Sequence, residues 1–277
     1  MALSYARIDL KRALASRVGT TEARTLWRSV SFNPSCEWSF QMIAVSLARK
    51  NRLLVAMPGD VLDEWLPHFE LIELPFGAVL YDDGQALSHI YFPVDALISY
   101  VQPLEDGSVI EMAVIGNEGM VGVSVVLGSR TASGCAMAQV AGTSLRIDAS
   151  EVVRRLGNES PVQELFCRFL KALVSQMAQT AACSRRHSLE QQLSRWLLMA
   201  QDRLPPGDMK ITQETMAMML GVRRESVTDV ALRLQGAHLI SYSRGRITIV
   251  DRPGLEMNAC RCYDFVAKRY EHLLPAK

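Results

Sequence analysis

The stretch "ITQETMAMMLGVRRESVTDVALRLQGAHLISYSRGRITI", residues 211–249, changes texture three times in thirty-nine residues. Thr212 carries the hydroxyl that caps a helix, and Met216, Met219 and Leu220 then fall on its inner side, with Ala217 small enough for a second helix to cross closely. Gly221 permits a sharp turn, and Val222 is expected to plug the angle behind it. From about Arg223 to Gln235, Val227, Val230, Ala231 and Leu234 stand at i, i+3, i+4 and i+7, which predicts a second helix with one buried face, ended by Gly236. Leu239–Tyr242 and Ile247–Val250 then predict two strands around Ser243-Arg244-Gly245-Arg246, a tight hairpin with two arginines at its tip.

Two short helices joined by a glycine turn make a helix-turn-helix, whose second helix enters the DNA major groove. The face opposite the core carries Arg224, Glu225, Thr228 and Asp229, with Arg223 at the helix mouth. Arginine suits the paired acceptors of guanine, and a carboxylate accepts from the cytosine amino group, so these five residues are the candidate base readers. The plain alternative is a solvated helix end, in which Asp229 supports Arg233 four residues on. The basic hairpin that follows has the character of a wing, which fixes register through phosphates. Thr212, Gln213, Ser226, Arg244 and Arg246 are the candidate phosphate contacts, and double-stranded DNA is the expected partner.

The charge distribution agrees. The net charge is only +1 over 277 residues, yet Leu53 to Ser129 contains no Lys or Arg against twelve acidic residues. From Arg185 to Lys277 there are 15 basic and 10 acidic residues, an excess of +5 at the end that carries the helix pair. With 49% apolar residues the chain can bury a substantial core, and its length suits two domains. The longest apolar stretch, around Met120–Leu127, is short and glycine-rich, and no signal peptide opens the chain. A cytoplasmic protein without a membrane partner is expected. Six scattered cysteines suit a reducing compartment, and Cys260-x-Cys262 reads as ordinary thiols, because structural zinc wants four ligands in paired spacings; no metal site is expected.

Outward from the helix pair, residues 1–46 read as a poorly ordered extension, within which Met42 is a candidate start. Residues 47–158 form the second texture: a helical segment from Asn51 to Leu66 broken at Met57-Pro58-Gly59, then short apolar runs punctuated at Pro75–Gly77, Asp82–Gly84, Glu105–Gly107 and Gly116–Gly119. That spacing predicts an antiparallel barrel or sandwich, closed by a short helix at Asp148–Leu156. Residues 159–184 are helical, and Phe166, Phe169, Leu173, Gln176 and Thr180 step along it by threes and fours. Such a stripe packs on a partner helix, giving a homodimer, or on the chain's own barrel. Residues 185–277, beginning with a helix at Leu189–Leu204 stopped by Pro205-Pro206-Gly207, make up the DNA-binding end with a C-terminal helix. The fold class is α+β.

This order of parts resembles the Crp/Fnr superfamily of bacterial transcription regulators over roughly residues 51–252, most specifically in residues 211–249. The family's recognition helix opens with Arg-Glu-Ser/Thr-Val, matched by Arg224, Glu225, Ser226 and Val227. The resemblance implies a cyclic-nucleotide-binding-like jelly roll or barrel, a long dimerisation helix, a winged helix-turn-helix, and base reading by Arg224 and Glu225. It also implies RNA polymerase as a partner if the protein activates. The cyclic-AMP regulators have an Arg where Asp229 stands, so their operator does not carry over. Cyclic-nucleotide members hold the ribose with a Gly-Glu pair and the phosphate with Arg and a small hydroxyl residue. Here Gly122-Val123 and Cys135-Ala136 stand in those places, and Arg130-Thr131 fits only if the preceding loop is shortened. A phosphate buried without a cation is costly, so a cyclic nucleotide is not the expected effector. Iron–sulfur binding needs clustered N-terminal cysteines, where only Cys36 stands, and His68 or His89 offers no more than a lone haem ligand; no cofactor is expected. Cys135 reads either as a redox-sensitive thiol or as a small core residue. No phosphate loop, His-Glu-x-x-His or Gly-x-Ser-x-Gly is present, so the chain is not expected to be an enzyme. The rival class is a small-molecule or redox sensory adaptor acting through protein partners.

Overall fold

The computed structural model describes residues 45–105, 107–156 and 160–273. The extension expected over residues 1–46 lies, up to residue 44, outside them. Asn51 is a buried cap near the start of the described residues: its side-chain carbonyl oxygen accepts from Leu54 N at 3.0 Å, and its amide donates to the carbonyls of Pro93 and Gly119 at 2.9 Å each. It heads α1 (Arg52–Val55), which the Pro58-Gly59 break separates from α2 (Gly59–Trp65).

Seven strands follow in two antiparallel sheets. The first has the order β1 (Glu70–Leu74), β7 (Gly142–Asp148), β3 (His89–Pro93). The second runs β2 (Val79–Tyr81), β6 (Cys135–Val140), β4 (Leu97–Pro103), β5 (Val109–Ile115). Neighbours that are distant in sequence give a jelly roll, two sheets that do not close into a barrel. Ile90, Phe92, Leu97, Ile98, Ala138, Leu145 and Ile147 are fully or almost fully buried between them. The first sheet keeps a wet outer face, where Glu70 pairs with Arg146 at 2.7 Å, an exposed contact of small energetic value. In the second sheet every residue of β6 is buried, because helices cover its outer side as well.

α3 (Ala149–Arg155), capped by Asp148, leads to α4 (Pro161–Arg186), which Ser160 caps and Pro161 starts. Of the two covers the sequence allows for the stripe, a second subunit or the chain's own barrel, the second is formed. Phe166 meets Trp65 and Phe92 with ring centroids 6.1 and 6.2 Å away, and Phe169 meets Tyr270 at 6.3 Å. Leu173 is buried, Gln176 donates to the Val114 carbonyl at 3.0 Å, and Thr180 receives the Arg195 guanidinium at 3.4 Å. The periodicity fixed which side of α4 is covered, and the jelly roll and C-terminal helix cover it. That corrects the dimerisation assignment of these five residues. The outward side carries Cys167, Lys171, Val174, Ala178 and Ala181, all exposed.

α5 (Leu189–Arg203) starts from a capping box between Ser188 and Gln191. The remaining elements are β8 (Met209–Lys210), α6 (Gln213–Leu220), α7 (Arg224–Gly236), β9 (Ile240–Ser243), β10 (Arg246–Ile249), α8 (Arg252–Asn258) and α9 (Cys262–Glu271). Two buried carboxylates join the jelly roll to this end. Glu111 on β5 accepts from Trp196 Nε1 at 2.8 Å and from the Ser99 hydroxyl. Glu118 accepts from Arg203 Nε at 2.6 Å and from Gly116 N at 3.1 Å. Gly116 is obligatory here on space alone, since a Cβ would lie 2.6 Å from Arg203 Cβ. The turn Gly116–Gly119 is therefore the seat of α5 on the jelly roll.

Candidate nucleic-acid interface

The helix pair forms for the reasons its sequence states. The Thr212 hydroxyl accepts from Thr215 N at 3.1 Å, and Gly221 takes φ +65° and ψ +37°, the left-handed conformation that ends α6. Val222 N returns to the Ala217 carbonyl at 3.0 Å, but its side chain is 36% exposed, so it does not plug the interhelical angle. Met216, Ala217, Val227, Val230, Ala231 and Leu234 supply that packing. Gly236 is the last residue of α7, as expected, while the left-handed reversal after it falls to His238 at φ +59°. Met219 turns toward the jelly roll, where it packs with Val101, Val109, Cys135 and Met137.

At the mouth of α7, Arg223, Arg224, Glu225 and Asp229 are all exposed. None has an ion pair or side-chain hydrogen bond among the described residues. The pairing of Asp229 with Arg233 is not formed, because Arg233 binds Glu190 of α5 at 2.9 Å. Thr228 differs from its neighbours: its hydroxyl donates to Gln213 Oε1 at 2.7 Å and approaches the Arg224 carbonyl at 3.1 Å. It braces α7 against the start of α6. Gln213 uses only its Oε1 in that bond, which leaves its amide donor, and Ser226 is half-buried in the first turn.

The wing is a three-stranded sheet in the order β8-β10-β9, one strand more than the hairpin expected. Its two turn residues, Arg244 at φ +50° and Gly245 at φ +74°, have the double left-handed geometry that lets a two-residue hairpin follow the strand twist. Arg244 thereby projects at the tip, exposed and without a partner among the described residues. Arg246 is committed to Asp208 at 2.7 Å, which holds the Asp208 carboxyl below its ordinary range. The wing reaches the helix pair directly: Ile211 N donates to the Gly245 carbonyl at 2.9 Å, and Gln235 Oε1 accepts from Tyr242 N at 2.8 Å. These bonds tie the wing to the start of α6 and to the end of α7. Sequence reading missed Asp208, Glu190 and the Gln213–Thr228 bond, which join residues 15 to 43 apart.

In the jelly roll, Gly122-Val123 leads into a tight turn at Val123–Val125, and Cys135-Ala136 opens β6. Asp82 Oδ1 lies 3.6 Å from Cys135 Sγ, and Asp83 Oδ1 accepts from Gly134 N at 2.6 Å. Burial and these carboxylates push the Cys135 thiol up to about 12. Cys135 is buried and packs with Val101, Val109, Met137 and Met219 as a small core residue. Arg130 is exposed.

Residues 191–257 match the Crp-like helix-turn-helix domain family. Among solved structures, FixK2 from Bradyrhizobium japonicum aligns with TM-score 0.61 and 14% identity, over 69% of this chain and 98% of that one. A CRP-family transcriptional regulator from Thermus thermophilus aligns with TM-score 0.57 and 19% identity, over 68% and 96%. The c-di-GMP responsive global regulator CLP from Xanthomonas campestris gives 0.55 and 13%, over 70% and 100%. At these identities the likeness is one of fold. No curated protein matches the sequence. No helix among the described residues is long and apolar enough to cross a membrane. Residues 191–257 thus carry a Crp-like helix-turn-helix domain, set behind a jelly roll and a long helix in a fold shared with those Crp/Fnr-type structures.

Proposed function

We propose that the protein is a sequence-specific DNA-binding transcription regulator that works as a homodimer in the bacterial cytoplasm, with a jelly roll that has no cyclic-nucleotide site. The observation that carries this reading is the unpaired set Arg223, Arg224, Glu225 and Asp229 on an exposed helix mouth, next to a wing tip bearing an unpaired Arg244. Arg224 and Glu225 read bases, with Arg223 and Asp229 flanking them, and Thr228 positions the helix. Arg244, Arg246, Thr212, Gln213 and Ser226 face phosphates, Arg246 exchanging Asp208 for the backbone. Relatives bind DNA as dimers, and the exposed face of α4 offers Val174, 62% exposed, between Lys171 and the small Ala178 and Ala181 for a second copy. Each subunit then places α7 in successive major grooves about 34 Å apart. The effector is not a cyclic nucleotide: Asp82 and Asp83 stand beside Cys135 where an arginine would hold a phosphate. RNA polymerase is the further partner if the protein activates.

The test is selection of binding sites from a genomic fragment pool, followed by fluorescence anisotropy across a salt series. The expected result is a palindromic site whose affinity falls linearly with log salt concentration. Absence of salt-dependent binding to any fragment overturns the reading.

A further inference from the structure

Cys183 sits one turn before His187 at the end of α4, and Cys260 and Cys262 flank the start of α9, seventy-odd residues away in sequence. The fold closes these two pairs on one point. Cys183 Sγ lies 3.5 Å from Cys260 Sγ, Cys262 Sγ lies 3.5 Å from His187 Nδ1, and all four donor atoms are within 4.8 Å of one another. Around a tetrahedral zinc ion with ordinary bond lengths, sulfurs stand about 3.8 Å apart and a sulfur and a ring nitrogen about 3.6 Å apart. We propose that Cys183, His187, Cys260 and Cys262 form a structural zinc site that ties the C-terminal helix to the end of α4.

The chemistry of the set selects the ion. Three sulfurs and one imidazole suit a borderline-soft ion and disfavour magnesium or calcium. The donor atoms converge too closely to surround several iron atoms, so an iron–sulfur cluster does not fit. The three cysteines are free thiols and buried, while half-buried His187 leaves a way in from solvent. The surroundings hold the donors in place. Gln179 Nε2 donates to Cys262 Sγ at 2.9 Å, an outer-shell bond of the kind that orients a ligand. Gln192 donates to the His187 carbonyl at 2.8 Å, and His187 N to the Cys183 carbonyl at 3.0 Å.

A second observation points the same way. Arg195, 4% exposed, has no carboxylate within ion-pair distance among the described residues. Its partners are the Thr180 hydroxyl at 3.4 Å and the Met199 sulfur at 3.6 Å, and its Nε is unpaired. A buried guanidinium with such poor partners needs a nearby negative charge. A zinc ion with three thiolates carries one, and Thr180, which receives the Arg195 guanidinium, stands three residues before Cys183 on α4. Because α5 begins at Leu189, just past His187, the site lies where the long helix hands over to the DNA-binding end. Its effect on DNA affinity rests on the proposed function; its metal content does not.

The experiment takes the full chain, reduced, stripped and reconstituted with zinc alone or cobalt alone. The expected zinc content by plasma mass spectrometry is one ion per chain, and the cobalt form shows the intense visible bands of tetrahedral thiolate coordination. The double variant Cys183→Ala/Cys260→Ala, its folding checked by circular dichroism, loses both, whereas Cys167→Ser keeps both. Gln179→Ala retains the ion but binds it about 10–100-fold more weakly in chelator competition. Zinc retained by the folded double variant, a weak octahedral cobalt spectrum, or an iron–sulfur absorption in anaerobically isolated protein overturns the site. So does DNA binding by a chain that takes up no zinc. A chain with one zinc and no DNA affinity leaves the site standing and overturns the proposed function.

Discussion

Glu118→Ala removes one half of an ion pair that holds α5 to the jelly roll. In the native protein the two side chains are 3% and 6% exposed and meet at 2.6 Å. After the substitution the Arg203 guanidinium keeps the Met199 carbonyl at 2.8 Å, Gln176 Oε1 at 3.2 Å and the Tyr270 ring at 5.1 Å, but no counter-charge. Stripping one partner from a buried pair costs about 3–5 kcal/mol, chiefly because the remaining charge stays dehydrated. The freed Gly116 N–H adds about 1 kcal/mol where water cannot reach it. With a urea dependence of about 3 kcal/mol/M for a chain of this size, the unfolding midpoint falls by roughly 1–2 M. Urea titration followed by circular dichroism and tryptophan fluorescence reads that shift. The double variant Glu118→Ala/Arg203→Met takes the orphaned charge away, and more than half of the lost stability should return. A single-variant shift below about 0.3 M, or a double variant no better than the single, refutes the reasoning: the pair would then be solvated or energetically idle.

Three further outcomes follow from the same geometry. Arg224→Ala and Glu225→Ala each relax preference at one base position by about 1–3 kcal/mol, whereas Arg244→Ala weakens all sites alike and lowers the salt slope by about one; equal loss of preference from all three would contradict these roles, and site selection with salt titration decides it. Val174→Glu on the exposed face of α4 gives a monomer by light scattering and at least tenfold weaker binding to a palindromic site, and a persistent dimer places the contact elsewhere. Glu111 is held above the ordinary carboxylate range by burial, against the bonds from Ser99 and Trp196, so the folded protein favours its neutral form. Its contribution is full below the ordinary value near 4.5 and is lost as pH rises toward the folded value, so Glu111→Gln gains on the native chain in urea titrations as pH rises above 4.5. A pH-independent difference between the two would count against a neutral Glu111.

The helix pair was legible because its determinants are local. Thr212, Gly221 and the spacing from Val227 to Leu234 act within a turn or two of the chain, and the structure places each where that spacing requires. The jelly roll was legible as a class from its turns, while its strand order was not, since β6 between β2 and β4 depends on pairings dozens of residues apart. Phe166 and Phe169 show the same limit within one helix: their period gives a covered face but not its cover. The cluster at Cys183 and Cys260 was invisible for that reason too. Each half alone is a weak spacing, and only the fold makes them a set of four.

The joint between the two ends of the molecule is concentrated on β5 and the turn that follows it. Glu111 holds Trp196 of α5, the Val114 carbonyl holds Gln176 of α4, Glu118 holds Arg203, and Ile110 lies 3.4 Å from where a Cβ on Gly221 would stand. The same strand pairs with β4, whose Tyr100 sits opposite Ala113 and beside the Cys135 region. A displacement of the second sheet therefore cannot leave the helix pair where it is without breaking directional bonds to the two buried carboxyl groups. Each broken bond leaves a dehydrated charge or an orphaned donor, so a small displacement is opposed and a large one needs a complete exchange of partners. A joint built this way has discrete positions. A ligand acting through it would have to favour one set of buried partners over another, and could shift the balance by no more than the difference in its affinity for the two.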